Sequence, residues 1–146
     1  MTRFHFRLQK VLEWREKQLE LEEARFKQQV AALAVLDQAC AELQSAGLQA
    51  ERQVRSLSMV PASELSALSG FRRYVQIHGR DLAAQRAAAQ IKLNAQQNAM
   101  LEARRRCRLL ERLKDRRLSE WQAGVDRELD QVASESFLAR WVRREG

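Results

Sequence analysis

From Leu12, every seventh residue reads Leu12, Leu19, Phe26, Leu33, Cys40, Gly47 and Val54. The companion row, three positions on, reads Arg15, Glu22, Gln29, Leu36, Leu43, Ala50 and Leu57. The first row is apolar for five successive steps, more than the amphipathicity of a lone helix requires. A seven-residue repeat averages 3.5 residues per turn and holds one edge of a helix against a partner along a left-handed supercoil. The companion row is polar through Gln29 and apolar from Leu36, so the predicted seam is narrow at first and fuller toward residue 57. A helix over 4–58 would be roughly 80 Å long at about 1.5 Å per residue, which no compact bundle needs. Composition agrees. The chain has 21 Ala and 20 Leu against 5 Gly and 1 Pro, with 31% of its residues charged, the balance of a long helix or coiled coil. An all-β domain is excluded and a doubly wound α/β enzyme is disfavoured, because both need turn glycines and runs of Val and Ile.

Ser58-Met59-Val60-Pro61 ends the first helix, since proline disfavours helix in the residue before it and opens the next one readily. The segment then reads as a tip over 59–80 with a short helix 62–69 stopped near Gly70. A long helix follows over 71–140, with a break or bend expected at Gly79 and a softer point at Gly124. Leu110, Leu113, Leu118, Trp121, Val125, Leu129 and Val132 continue the stripe. The fold class is therefore all-α: a long antiparallel two-helix coiled-coil hairpin with a short helical tip, forming a single domain over 1–146. Alanine is dense at 31–50 and again at 83–103. Facing these stretches sets the residue numbers of opposed pairs to a sum near 135. The same register places Glu13, Glu16, Glu20, Glu22 and Glu23 opposite Arg112, Arg116 and Arg117, and brings Trp14 near Trp121. Two chains pairing side by side would satisfy the repeat as well, and the repeat alone does not choose between them.

No apolar run reaches the ~18 residues of a membrane span, and Thr2-Arg3-Phe4-His5-Phe6-Arg7 does not read as a secretory core. The expectation is a reducing compartment, with Cys40 and Cys107 as small buried apolar residues. They lie 67 residues apart with no His or second Cys at ligand spacing, so no metal or other cofactor is expected. His5 and His78 lack a nucleophile or carboxylate at motif spacing, no phosphate-binding loop is present, and a hairpin offers no water-excluding pocket. The chain reads as a non-enzyme without a small-molecule substrate.

Three features remain for binding. The net charge is +7. The run 104–117 concentrates it, with Arg104, Arg105, Arg106, Arg108, Arg112, Lys114, Arg116 and Arg117 against Glu111 and Asp115. It reads as a face neutralised by the acidic helix opposite, or as a docking surface for an acidic protein. Nucleic acid is a lesser reading, because Leu109, Leu110 and Leu113 interleave the run at core spacing. Phe71, Val75, His78 and Leu82 form one stripe near the tip, either a mini-core under the helix 62–69 or an exposed anchor set. Phe137–Arg144 is a short basic amphipathic end carrying Trp141, either frayed or ordered on binding a partner.

The opening Phe4-His5-Phe6-Arg7-Leu8-Gln9-Lys10-Val11-Leu12-Glu13-Trp14-Arg15-Glu16 resembles the start of the flagellar type III export protein FliJ family. Leu110-Glu111-Arg112-Leu113-Lys114-Asp115-Arg116-Arg117 is similar to that family's late Leu-Glu-x-Leu-Lys-x-Arg-Arg run. Length and two-helix layout match as well, so the resemblance covers essentially the whole chain. It implies a coiled coil similar to the central stalk of rotary ATPases, inserted into the hexameric flagellar export ATPase and touching the membrane-embedded export gate protein. Substrate chaperones are further implied partners, and the implied location is cytoplasmic, peripheral to the inner membrane at the flagellar basal body. Phe71, Val75, His78 and Leu82 occupy the implied gate-binding positions. Arg3, Phe4, Phe6 and Arg7, with the basic run 104–117, are the candidates for the ATPase side. The related injectisome stalk protein and a basic nucleic-acid-binding coiled coil are the alternatives.

Overall fold

The computed structural model describes residues 2–146. Two helices account for nearly all of them: α1, Gln9–Ser56, and α2, Ala62–Glu145. They pack antiparallel as a hairpin, and no strand occurs among the described residues. Of the fourteen positions in the two seven-residue rows, all but Leu57 are at least half-buried. Leu57 falls beyond the end of α1 and is exposed. On α2 the matching row is Leu68, Val75, Leu82, Ala89, Gln96, Ala103 and Leu110, again withdrawn from solvent at every step. The buried apolar side chains among the described residues are Phe6, Leu12, Leu68, Leu82, Met100 and Cys107. A two-helix seam can enclose only the middle of its contact strip, so most seam residues stay half-buried.

Contacts divide the chain into two compact units. One joins the segment through Glu20 to Glu102–Gly146; the other is Leu21–Leu101. In the second unit, Gln96 donates from Nε2 to the Glu22 carbonyl at 3.1 Å and also to the Glu22 carboxylate. Arg72 Nε meets Glu51 Oε1 at 3.0 Å, and Arg86 pairs with Asp37. Val75 packs against Gly47 and Leu43 against Gly79. Facing residue numbers thus sum to 118 for Glu22 with Gln96, and to 123 for Asp37 with Arg86 and for Glu51 with Arg72. The expected register near 135 is corrected. The chain reverses within 57–61, where the sequence ends the first helix, and a sum near 135 would have needed a reversal around residue 67. Exposed ion pairs of this kind stabilise by at most about 1 kcal/mol, but they penalise other registers. The Arg86 guanidinium is held above its usual pKa by its hydrogen bond to Asp37 and by that carboxylate's charge.

Local chemistry explains the reversal. At the end of α1, Ser56 Oγ donates to the Gln53 carbonyl at 2.7 Å, and the Leu57 amide donates to Val54 at 3.3 Å. The Pro61 carbonyl then accepts the Glu64 and Leu65 amides at 3.1 and 3.3 Å, opening α2. Glu64 in the first turn suits the helix dipole. No separate helix 62–69 exists. Gly70, Gly79 and Gly124 all lie inside α2, and no glycine among the described residues has positive φ. Leu68, Phe71 and Val75 meet α1 on both sides of Gly70, and that burial outweighs the ~1 kcal/mol a helical glycine costs. Helix α1 starts at Gln9 rather than residue 4, and α2 runs past residue 140 to Glu145.

An unbroken α2 makes a specific demand. A Cβ at Gly70 or Gly124 meets nothing within 4 Å. Gly70→Ala and Gly124→Ala should therefore each raise unfolding stability by about 0.5–1 kcal/mol in urea titrations. A helix stop at Gly70 would instead make Gly70→Ala destabilising.

Candidate functional site

Two surfaces carry the chemistry singled out from the sequence, and each belongs to one unit. In the unit containing Glu102–Gly146, residues 2–8 precede α1 and lie against α2. The Phe6 carbonyl accepts the Gln9 amide at 3.1 Å, fixing the entry into α1. Phe6 is buried, and the Phe4 ring meets Trp121 at 5.9 Å between centroids, tilted by 54°. Burying two aromatic rings supplies the free energy that holds this short non-helical segment in place. An open groove results, lined by Phe4, Phe6, Leu113 and Trp121 and by Arg3, Arg7, Arg117 and Glu120. Trp121 thus meets Phe4 rather than Trp14. Trp14 is half-exposed, with the Arg15 guanidinium 4.8 Å from its ring centroid.

The basic run lies on α2 in the same unit. Of its apolar members, Cys107, Leu110 and Leu113 turn inward, with Cys107 2% exposed, whereas Leu109, expected at core spacing, faces solvent. Arg106 pairs with Glu102 at 3.2 Å. Arg116 and Arg117 pair with Glu120 at 3.2 and 3.3 Å. These bonds run along α2 itself, not to the acidic stretch of α1 that the expected register would have set opposite. Arg104 is half-buried and engaged. Arg105, Arg108 and Arg112 are exposed and make no ion pair among the described residues, so their charge faces solvent. Arginine in that state presents a planar fork suited to carboxylates. Neither Cys40 nor Cys107 is in a disulfide, and Cys40 is only half-buried.

The second surface lies near the reversal, within Leu21–Leu101. Leu82 is buried, Val75 packs on Gly47, and Phe71 and His78 are half-buried. The expected stripe is therefore hairpin seam: its cover is α1, not a folded-over helix 62–69. Beside it, Phe71, Tyr74 and His78 stack in succession, with centroids 6.1 and 5.5 Å apart. Phe71, Val75, Leu48 and Glu51 line a shallow groove. The side chains offered outward are others: Met59 (86% exposed), Leu57, Val60, Leu65, Tyr74 and Ile77. Met59 and Val60 were visible in the sequence as apolar residues in a turn, where polar ones are usual. Tyr74 and Ile77 fall between the seam positions, the one signal that separates them from the stripe.

No cluster of three or more His, Cys, Asp or Glu able to hold a metal lies among the described residues, and no helix is long and apolar enough to cross a membrane. Comparisons with protein-family models, curated proteins and solved structures return no match.

The Phe4–Trp121 contact should be measurable as a coupling. A double-mutant cycle of Phe4→Ala and Trp121→Ala is expected to give about 0.5–1.5 kcal/mol. Phe4→Ala alone should red-shift tryptophan emission as Trp121 gains water. Additive effects with unshifted emission would mean that residues 2–8 do not hold this position in solution.

Proposed function

We propose that this chain is a non-catalytic coiled-coil stalk of flagellar type III protein export. It works in the cytoplasm, at the inner-membrane face of the basal body. The unit carrying the basic run binds the hexameric export ATPase. The apolar surface near the reversal binds the membrane-embedded export gate, and substrate chaperones are further partners. One observation carries the reading. The two segments that resemble the FliJ family, 4–16 and 110–117, are about a hundred residues apart in sequence, yet residues from both line one groove. The antiparallel register brings these two segments together, so one partner can read both. The charged set Arg105, Arg108 and Arg112 and the apolar set Met59, Leu65, Tyr74 and Ile77 lie in different units. Two partners of different chemistry can therefore bind without competing for residues.

The ATPase side is tested with purified export ATPase. Arg105→Glu, Arg108→Glu and Arg112→Glu combined should weaken binding at least about tenfold, because like charges then face the acidic partner, while circular dichroism stays unchanged. Unchanged affinity removes this face from the interface. Tight binding of the wild type to duplex DNA at physiological salt would favour the nucleic-acid alternative; weak binding lost by about 200 mM salt would reflect charge alone.

On the gate side, Tyr74→Ala with Ile77→Ala should lower affinity for the gate protein about tenfold without moving the melting temperature. Leu82→Ala should do the reverse in kind. It should lose stability by about 2–5 kcal/mol, because it empties a buried seam position.

A further inference from the structure

Helix α2 continues for twenty residues after Val125, the last half-buried position on it, and every one of them is exposed. Its final turns carry Phe137, Leu138, Ala139, Arg140, Trp141, Val142, Arg143 and Arg144. At about 100° per residue, Phe137, Leu138, Trp141 and Val142 fall within an arc of roughly 140°. By the same count Arg140, Arg143 and Arg144 fall outside that arc, with Arg144 at its margin beside Phe137. Phe137 and Trp141, with all three arginines, line one surface groove. Glu145 follows Trp141 by one turn and marks the end of the apolar arc, and Glu135 precedes it.

We propose that residues 137–144 form an interfacial segment that binds the surface of an anionic lipid bilayer. The apolar arc enters the boundary between headgroups and acyl chains, and the arginines extend to lipid phosphates. The chemistry fits at three points. Trp and Phe are the side chains that partition best into the interface. Arginine carries a long apolar stem and a fork that matches phosphate, so it stays in the headgroup layer while its helix lies flat. A chain of net charge +7 is drawn toward a negative surface from a distance.

A groove on a protein partner is the competing occupant, and the pattern disfavours it. Helix-in-groove recognition uses anchors recurring at i, i+3, i+4 and i+7. Counting back seven from the apolar set gives Asp130, Gln131, Ser134 and Glu135. Leu129 and Val132 continue the seam edge of α2 and lie on the other side of the helix. A protein groove would therefore grip only two turns. A fluid headgroup layer requires no register, so two turns suffice for reversible binding.

The test is co-sedimentation of the full chain with phosphatidylcholine vesicles, with and without phosphatidylglycerol. Wild-type protein should bind the anionic vesicles and not the neutral ones. Arg140→Gln, Arg143→Gln and Arg144→Gln together should lower partitioning on the order of a hundredfold. Phe137→Ala with Trp141→Ala should lower it at least about tenfold. All five residues are exposed, so helicity and melting temperature serve as controls and should not change. Three results would each overturn the proposal: failure of the wild type to bind anionic vesicles, equal binding to neutral ones, or binding that survives both sets of substitutions. No other protein is present, so the outcome is independent of whether the chain binds an export ATPase.

Discussion

Leu12, Leu19, Phe26 and Leu33 have somewhere to go only because a second helix runs back along the same edge. A 48-residue helix with this composition would be marginal alone, since propensity gains little per residue and half its apolar side chains would face water. Pairing changes the balance along the whole edge at once. It withdraws the row from Leu12 to Val54 on α1 and the row from Leu68 to Leu110 on α2. The remaining features are additions to that strip. Leu57 shows its limit, keeping the period but missing the helix and remaining exposed. The polar contacts across it select one alignment more than they strengthen it. Gln96 on Glu22, Arg86 on Asp37 and Arg72 on Glu51 are all at the solvent margin.

The seam was legible in the sequence because its burial is one-sided and regular, and a regular stripe survives in the residue order. The reversal was legible in Pro61. What misled was Gly70. A glycine after an apolar stretch marks a helix end when its backbone turns left-handed, and only a modest cost when it does not. Nothing in the residue itself separates the two. The decision rests on Leu68, Phe71 and Val75, which gain more from α1 than the glycine loses. The register failed separately: facing the two alanine-dense stretches set the sum near 135, and the Trp14–Trp121 pairing and the opposed charges followed from that.

The same ambiguity shaped the candidate surfaces. A stripe at Phe71, Val75, His78 and Leu82 states that something covers it, and the sequence alone does not say whether the cover is the chain's own helix or another molecule. Here α1 supplies most of it. Exposed apolar residues are harder to read because they follow no period. Tyr74, Ile77 and Leu65 stand out only after the seam has been assigned and subtracted. Phe4 and Phe6 stand out in the residue order, but their partner Trp121 depended on the register. Arg105, Arg108 and Arg112 separate from their charged neighbours for a different reason. Glu102 pairs with Arg106, and Glu120 with Arg116 and Arg117, whereas Glu111 and Asp115, one turn from Arg108 and Arg112, form no ion pair with them among the described residues, which the residue order alone does not show.

The unequal lengths of the helices bear on what their side chains are for. Helix α2 has 84 residues against 48 in α1, and past Val125 it gains nothing from the seam. Its helicity there rests on propensity and local bonds, such as Arg127 Nε to the Ala123 carbonyl at 3.1 Å. For a segment in that position a polar face all round would serve stability and solubility equally well. Phe137, Leu138, Trp141 and Val142 are therefore unexplained by folding, whereas Val75 and Leu82 are fully explained by it. Binding and folding are coupled near the reversal, where a side chain given to a partner must be taken from the hairpin. They are uncoupled past Val125, where the apolar surface is exposed before any partner arrives, so an association there carries no cost of opening the seam.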